Sequence, residues 1–230
     1  MRPMGHIPAR LAALAGWLLL AATGLAAERA APPAANRWER TIRAMEQRDA
    51  KRPPPKREIL LCGSSSARGW NVRKHFPDHK VVNRGFGGSQ IHDSTHFADR
   101  IILPLEPRIL LLYAGDNDIA SGKAPELVCE HFKLFVAKIH AALPTCRIVF
   151  IAIKPSIRRW KLVGKMREAN RLIKAVAATD ERLDYVDIDT PMIGPDGKPR
   201  KELFKPDGLH LNAEGYALWT RLVLPYLKRE

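Results

Sequence analysis

From Glu58 onward, short apolar runs alternate with stretches whose apolar residues recur at helical spacing. The runs EILLC, KVVN, RILLLY, RIVFIAI and LDYVDI read as five strands. Between the third and fourth, Val128, Phe132, Phe135, Val136, Ile139 and Leu143 share one helical face. Met166, Ala169, Leu172, Ile173 and Val176 do the same between the fourth and fifth. A last stripe of Tyr216, Trp219, Val223 and Tyr226 predicts a final helix, ended or kinked by Pro225. Parallel strands are covered on both faces and therefore almost wholly apolar. The pattern thus predicts an α/β fold, a three-layer α/β/α sandwich around a mainly parallel five-stranded sheet.

Two segments precede this domain. In APPAANRWERTIRAMEQRDA, Asn36 reads as a helix N-cap with Glu39 as its capping-box partner, and Trp38, Ile42 and Met45 form the apolar face. KRPPPKR cannot continue a helix and reads as a stiff linker. At the start of the chain, Arg2 and Arg10 stand ahead of an apolar run that ends in small residues, the order of a secretory signal peptide cleaved near Ala27. An uncleaved signal anchor is the alternative, because the run from Leu11 to Ala27 approaches the roughly 20 residues that span a bilayer. The expected organisation is a signal peptide over 1–27, an N-terminal helix and proline-rich linker over 28–57, and one domain over 58–230. Its expected location is outside the cytoplasm, periplasmic or secreted.

Charge adds one constraint. The net charge of +14 falls by only two when Arg2 and Arg10 leave with the leader, so an anionic envelope surface is a natural partner. Nucleic acid is not expected, since the Lys and Arg are scattered and no basic motif is interleaved with aromatics. Cys62, Cys129 and Cys146 make no disulfide framework. Cys129 and Cys146 are expected about 20 Å apart along a helix axis, and all three read as buried free thiols.

In open parallel sheets, ligands bind beyond the carboxyl ends of the strands. The segments there are GSSSARGW, NRGFGGS, AGDND, KPS and, further on, KPDGLHLN. Turn chemistry explains any one of them taken singly. Together they hold a hydroxyl, an imidazole, a carboxylate and several amide donors, the parts of an acyl-transfer site. A serine hydroxyl needs an adjacent base. His210 is the candidate, and Asp207 three residues before it can hold Nδ1 from a tight turn or a first helical turn, leaving Nε2 for the serine.

Four blocks, Gly63-Ser64-Ser65 with Trp70, Asn83-Arg84-Gly85-Phe86-Gly87-Gly88, Gly115-Asp116-Asn117-Asp118 and Asp207-Gly208-Leu209-His210, resemble in order those of the SGNH, or GDSL-like, hydrolase family. The resemblance spans nearly all of Glu58 to Glu230. It implies a flavodoxin-like SGNH fold and a carboxylic ester hydrolase that needs no cofactor or metal. Ser65 is then the nucleophile, His210 the base and Asp207 its orienting carboxylate, with the Ser65 amide, the Gly88 amide and the Asn117 side chain as oxyanion hole. Ser64 stands where the family motif has Asp. The distance from Gly63 to Trp70 keeps the nucleophile at Ser65, and Ser64 is expected to brace the loop by bonding nearby backbone. Ala67, where a lipase-type elbow has glycine, disfavours a standard α/β-hydrolase.

No insertion is long enough for a lid, so small acyl, acetyl-like, esters of glycans or lipids are the expected substrates. An O-acyltransferase using the same triad and an inactive glycan-binding protein of the same fold are the alternatives. Asp116 and Asp118 read as turn or capping residues. His92 and His96 have the spacing of a zinc pair but lack the glutamate of the metalloprotease motif, and exposed helix histidines are expected. Gly85 to Gly88 lacks the full spacing of a nucleotide loop. Lys154, Ser156, Arg158 and Trp160 read as a substrate rim or, from Arg158 to Lys161, as a solvated helix start.

Overall fold

A computed structural model describes residues 37–228, so the predicted leader and the Asn36 cap lie outside the described residues. Among them, the strands β1 (Ile59–Gly63), β2 (Val81–Gly85), β3 (Ile109–Tyr113), β4 (Arg147–Ile151) and β5 (Leu183–Val186) form one parallel sheet in the order β2-β1-β3-β4-β5. Each predicted apolar run overlaps one of these strands, although β1 and β2 extend past their runs to Gly63 and Gly85.

Alternation along the strands sorts the core into two layers. Leu60, Cys62, Leu110, Leu112, Ile148 and Phe150 face one side. There they meet α1 (Glu39–Lys51), α4 (Ile91–His96), α5 (Ala98–Ile101), α7 (Pro125–Ala142) and α8 (Val163–Ala177). Ile59, Leu61, Ile109, Leu111, Val149 and Ile151 face α2 (Ser65–Gly69), α3 (Val72–His75) and α9 (Ala213–Val223). A short helix, α6 (Asp116–Ala120), follows β3. Pro225 falls where α9 gives way to a 3-10 turn over Leu224–Leu227, as its missing N–H requires. No helix of the described residues is long and apolar enough to cross a membrane.

The N-terminal helix differs from the sequence reading. It begins after Trp38, without a side-chain cap, and Glu39 makes no capping box. The Glu39 carboxylate instead accepts from Arg100 on α5 at 2.7 and 3.1 Å, and Glu46 accepts from the same guanidinium at 2.7 Å. Trp38, Ile42 and Met45 are buried as predicted, against Phe86, Phe97 and Ile101 of the domain core. Cys62, Cys129 and Cys146 are buried free thiols.

Candidate active site

The sheet order reverses between β1 and β3, and the segments following β1, β2 and β3 lie side by side there. Register sets them level: Gly63 pairs with Gly85 on one side and Tyr113 on the other. The Phe86 amide donates to Gly63 O at 2.8 Å and the Ser64 amide to Tyr113 O at 2.9 Å, which stitches the three exits together. Gly63 has to be glycine, because its φ is +126° and a Cβ there would lie 1.8 Å from Tyr113 O.

Ser65 opens α2, with its own amide among the unpaired N–H groups of a helix start. His210 reaches it from the other end of the chain. Its Nε2 lies 3.1 Å from Ser65 Oγ, and its Nδ1 lies 2.6 Å from Asp207 Oδ2. Asp207 and His210 share a tight turn ahead of α9, not a first helical turn. The Asp207 Oδ1 accepts from the Leu209 and His210 amides at 2.9 Å each, and the positive φ of Gly208 closes the loop. The His210 side chain, then the two backbone amides, hold the Asp207 carboxyl well below the usual carboxylate range. A bridge between Phe204 and Leu211 and the Arg158 amide donating to Gly208 O at 3.0 Å pin the turn from both sides.

Gly88 and Asn117 lie on the neighbouring exits of β2 and β3. Asn117 Nδ2 donates one proton to Ser89 O at 2.9 Å, which ties the β3 exit to the loop carrying Gly88 and leaves the second amide proton uncommitted. Its Oδ1 accepts from Arg159 Nη2 at 3.0 Å, so the guanidinium decides which way the amide is turned. Arg159 also donates to Asp116 Oδ2 at 2.9 Å, and Lys154 bonds the same oxygen at 3.1 Å and the Tyr113 hydroxyl at 3.0 Å. Burial pushes the Asp116 carboxyl upward, but the charges of Lys154 and Arg159 outweigh it and leave it lowered and ionised.

These contacts revise several sequence expectations. Asp116 is more than a turn residue: it anchors the two cations behind Asn117. Lys154 is 1% exposed and forms no part of a substrate rim, and Ser156 is equally buried, while Arg158 is exposed and Trp160 half-buried. Arg159 was missed, because nothing in a run of Ile-Arg-Arg-Trp marks which arginine turns inward. The Ser64 hydroxyl has no hydrogen-bond partner among the described residues, so Ser64 braces the loop through its backbone alone. The start of α1 also belongs to the site, since Trp38 Nε1 donates to Gly87 O at 2.9 Å.

His92 does not pair with His96, which is exposed. It is half-buried against His131, with ring centroids 5.3 Å apart, and beside Asp118. His92, Asp118 and His131 are the described residues that could hold a metal ion, with potential ligand atoms within 4.8 Å of one another. Asp118 also receives the Ile91 amide, at 3.3 Å from Oδ2, so it joins α6 to α4.

Comparison with known proteins follows the same blocks. The chain is 26% identical over 188 residues to the platelet-activating factor acetylhydrolase IB subunit alpha1 of Bos taurus, covering 79% of this chain and 78% of that one. The Homo sapiens protein of that name is also 26% identical, with 79% of each chain covered. Among solved structures, a GDSL-like lipase from Bacteroides thetaiotaomicron superposes with a TM-score of 0.71 at 17% identity, covering 81% of this chain and 96% of that one. A variant of an acetyl-xylooligosaccharide esterase from Geobacillus Stearmophilus gives 0.61 at 14%, covering 76% and 96%. The model of the GDSL-like Lipase/Acylhydrolase family matches residues 62–218, which contain all four blocks. With that match over most of its length, the chain belongs to the GDSL-like lipase/acylhydrolase family, the SGNH hydrolases, and is a carboxylic ester hydrolase.

Proposed function

We propose that the protein is an exported esterase that removes small, acetyl-like acyl groups from glycans or lipids through an acyl-enzyme on Ser65. The unbroken chain Asp207–His210–Ser65, at 2.6 and 3.1 Å, carries the reading. His210 Nε2 takes the Ser65 proton as Oγ adds to the ester carbonyl, and Asp207 holds the imidazolium that forms. The developing oxyanion is met by the Ser65 and Gly88 amides and the free proton of Asn117 Nδ2. His210 returns the proton to the departing alcohol. Water then adds to the acyl-enzyme, gives its proton to His210, and releases the acid as Ser65 Oγ recovers it.

The acetyl preference is supported by the names of two similar proteins, an acetylhydrolase subunit and an acetyl-xylooligosaccharide esterase. Export is supported by the leader-like order of the first residues. The test is a series of p-nitrophenyl esters of increasing chain length. Acetate is expected to be the best substrate, with kcat/KM falling as the acyl chain lengthens. A fluorophosphonate is expected to label Ser65, and neither Ser65→Ala nor His210→Ala is expected to turn over any ester of the series. A His210→Ala variant with near wild-type turnover and an unchanged fold would overturn the mechanism, and a preference for long chains would overturn the substrate class.

A further inference from the structure

We infer that the site selects esters whose alcohol portion carries an oxyanion, a carboxylate or phosphate, and that Arg37 and Arg68 bind it. The inference deepens the esterase reading above and rests on it.

Two guanidinium groups lie against consecutive glycines of the loop that supplies the Gly88 amide. A Cβ on Gly88 would come within 2.9 Å of Arg37 Nη2, and one on Gly87 within 3.0 Å of Arg68 Cζ and Nη1. Neither contact is local in sequence. Arg37 arrives from the start of α1, and Arg68 from α2, three residues after Ser65 and hence on the nucleophile's side of that helix. Both are exposed. The Arg37 guanidinium lies over the Trp38 ring, 4.7 Å from its centroid, a cation–π contact that uses none of its N–H donors in an ion pair.

Their partners distinguish them from the other arginines nearby. Arg100 and Arg159 are each held by carboxylates. Among the described residues, neither Arg37 nor Arg68 is ion-paired. Asp93 feels the Arg37 charge but is buried in the capping box of α4. Two unneutralised planar donors beside the Gly87–Gly88 loop match a planar or tetrahedral oxyanion, which can accept two N–H bonds from each fork. The acyl group is the small side of the substrate, so the oxyanion belongs to the alcohol. The +14 net charge of the whole chain acts in the same direction by drawing anions toward the protein.

The experiment compares kcat/KM for 4-acetoxybenzoate and 4-acetoxybenzamide, which share their shape and differ by one charge. The wild-type protein is expected to favour the benzoate by about tenfold, the worth of one charge-assisted hydrogen bond. Added salt is expected to shrink the preference. In the Arg37→Gln/Arg68→Gln double variant the ratio is expected to fall toward one, whichever way the rate on the neutral ester moves. Using 4-acetoxyphenyl phosphate as a third probe separates the sources: a preference for it over the benzoate points to a phosphorylated, lipid-like alcohol, and the reverse points to an acidic sugar. A wild-type ratio near one, or a ratio that the double variant leaves unchanged, overturns the inference. Absence of turnover on both esters by the wild-type protein instead removes the esterase reading, and the inference falls with it.

Discussion

At the scale of single residues, the orientation of Asn117 depends on a neighbour that the motif does not contain. Arg159 donates to its Oδ1 and Nδ2 donates to Ser89 O, which leaves one amide proton for the oxyanion of the proposed mechanism. Removing the donor itself, in Asn117→Ala, is expected to lower kcat by about 10²–10³ with KM little changed. Arg159→Ala should give a smaller loss, also in kcat, with Arg159→Lys recovering part of it through the remaining charge. A loss confined to KM would make both residues substrate contacts. The acid side of the pH profile tests a second residue. Asp207 is held below the usual carboxylate range by His210 and two amides, so it keeps its charge until the pH falls through that lowered value. Activity lost on acidification should therefore follow uptake of a single proton while Asp207 remains charged. A two-proton fall would show that Asp207 titrates as well.

At the scale of elements, α1 is fastened to the domain by an apolar face and by charge. Arg100 bridges Glu39 and Glu46, and its two ion pairs lower both carboxyls, Glu39 from its ordinary 4.5 to about 2. A lowered carboxyl contributes stability above its unfolded value and loses it as pH falls toward the folded one. The attachment of α1 is thus expected to weaken between about pH 4.5 and 2. Because these groups are solvent-accessible, the effect is modest and screened by salt. Hydrogen exchange in residues 39–51 should accelerate over that window, and Arg100→Ala should show the faster exchange already at neutral pH. Unchanged exchange in the variant would mean that Ile42 and Met45 hold the helix alone. The same element carries Trp38 onto Gly87, so loosening it should also reduce turnover.

At the scale of the whole molecule, the sheet is closed over three unpaired thiols. Burial pushes Cys62 up to about 11 and Cys146 up to about 12, and raises Cys129 as well, so none offers a thiolate at neutral pH. A thiol reagent such as DTNB is expected to find no reactive cysteine in the folded protein and all three after denaturation. Reduction should leave the mass unchanged. A reactive thiol in the native state, or a mass gain of two hydrogens on reduction, would contradict this packing.

The strands, the sheet-covering helices and the four loop blocks were legible in the sequence because each follows from a local rule. Buried parallel strands are continuously apolar, helices repeat at 3.6 residues, and the blocks are short contiguous segments. Asp207 and His210 were equally legible, since one tight turn holds both. What the sequence did not determine is which distant side chains meet. Asn117 meets Arg159 from the β4 exit and Ser89 from the loop after β2, the partner of Glu39 comes from α5, and the neighbour of His92 from α7. None of these pairs shares a period or a motif. Their pairing depends on strand order and on the packing of helices over the sheet. Only the tertiary structure could show that Arg159 turns inward while Arg158 stays exposed, or that α1 reaches across to hold the loop of Gly87 and Gly88.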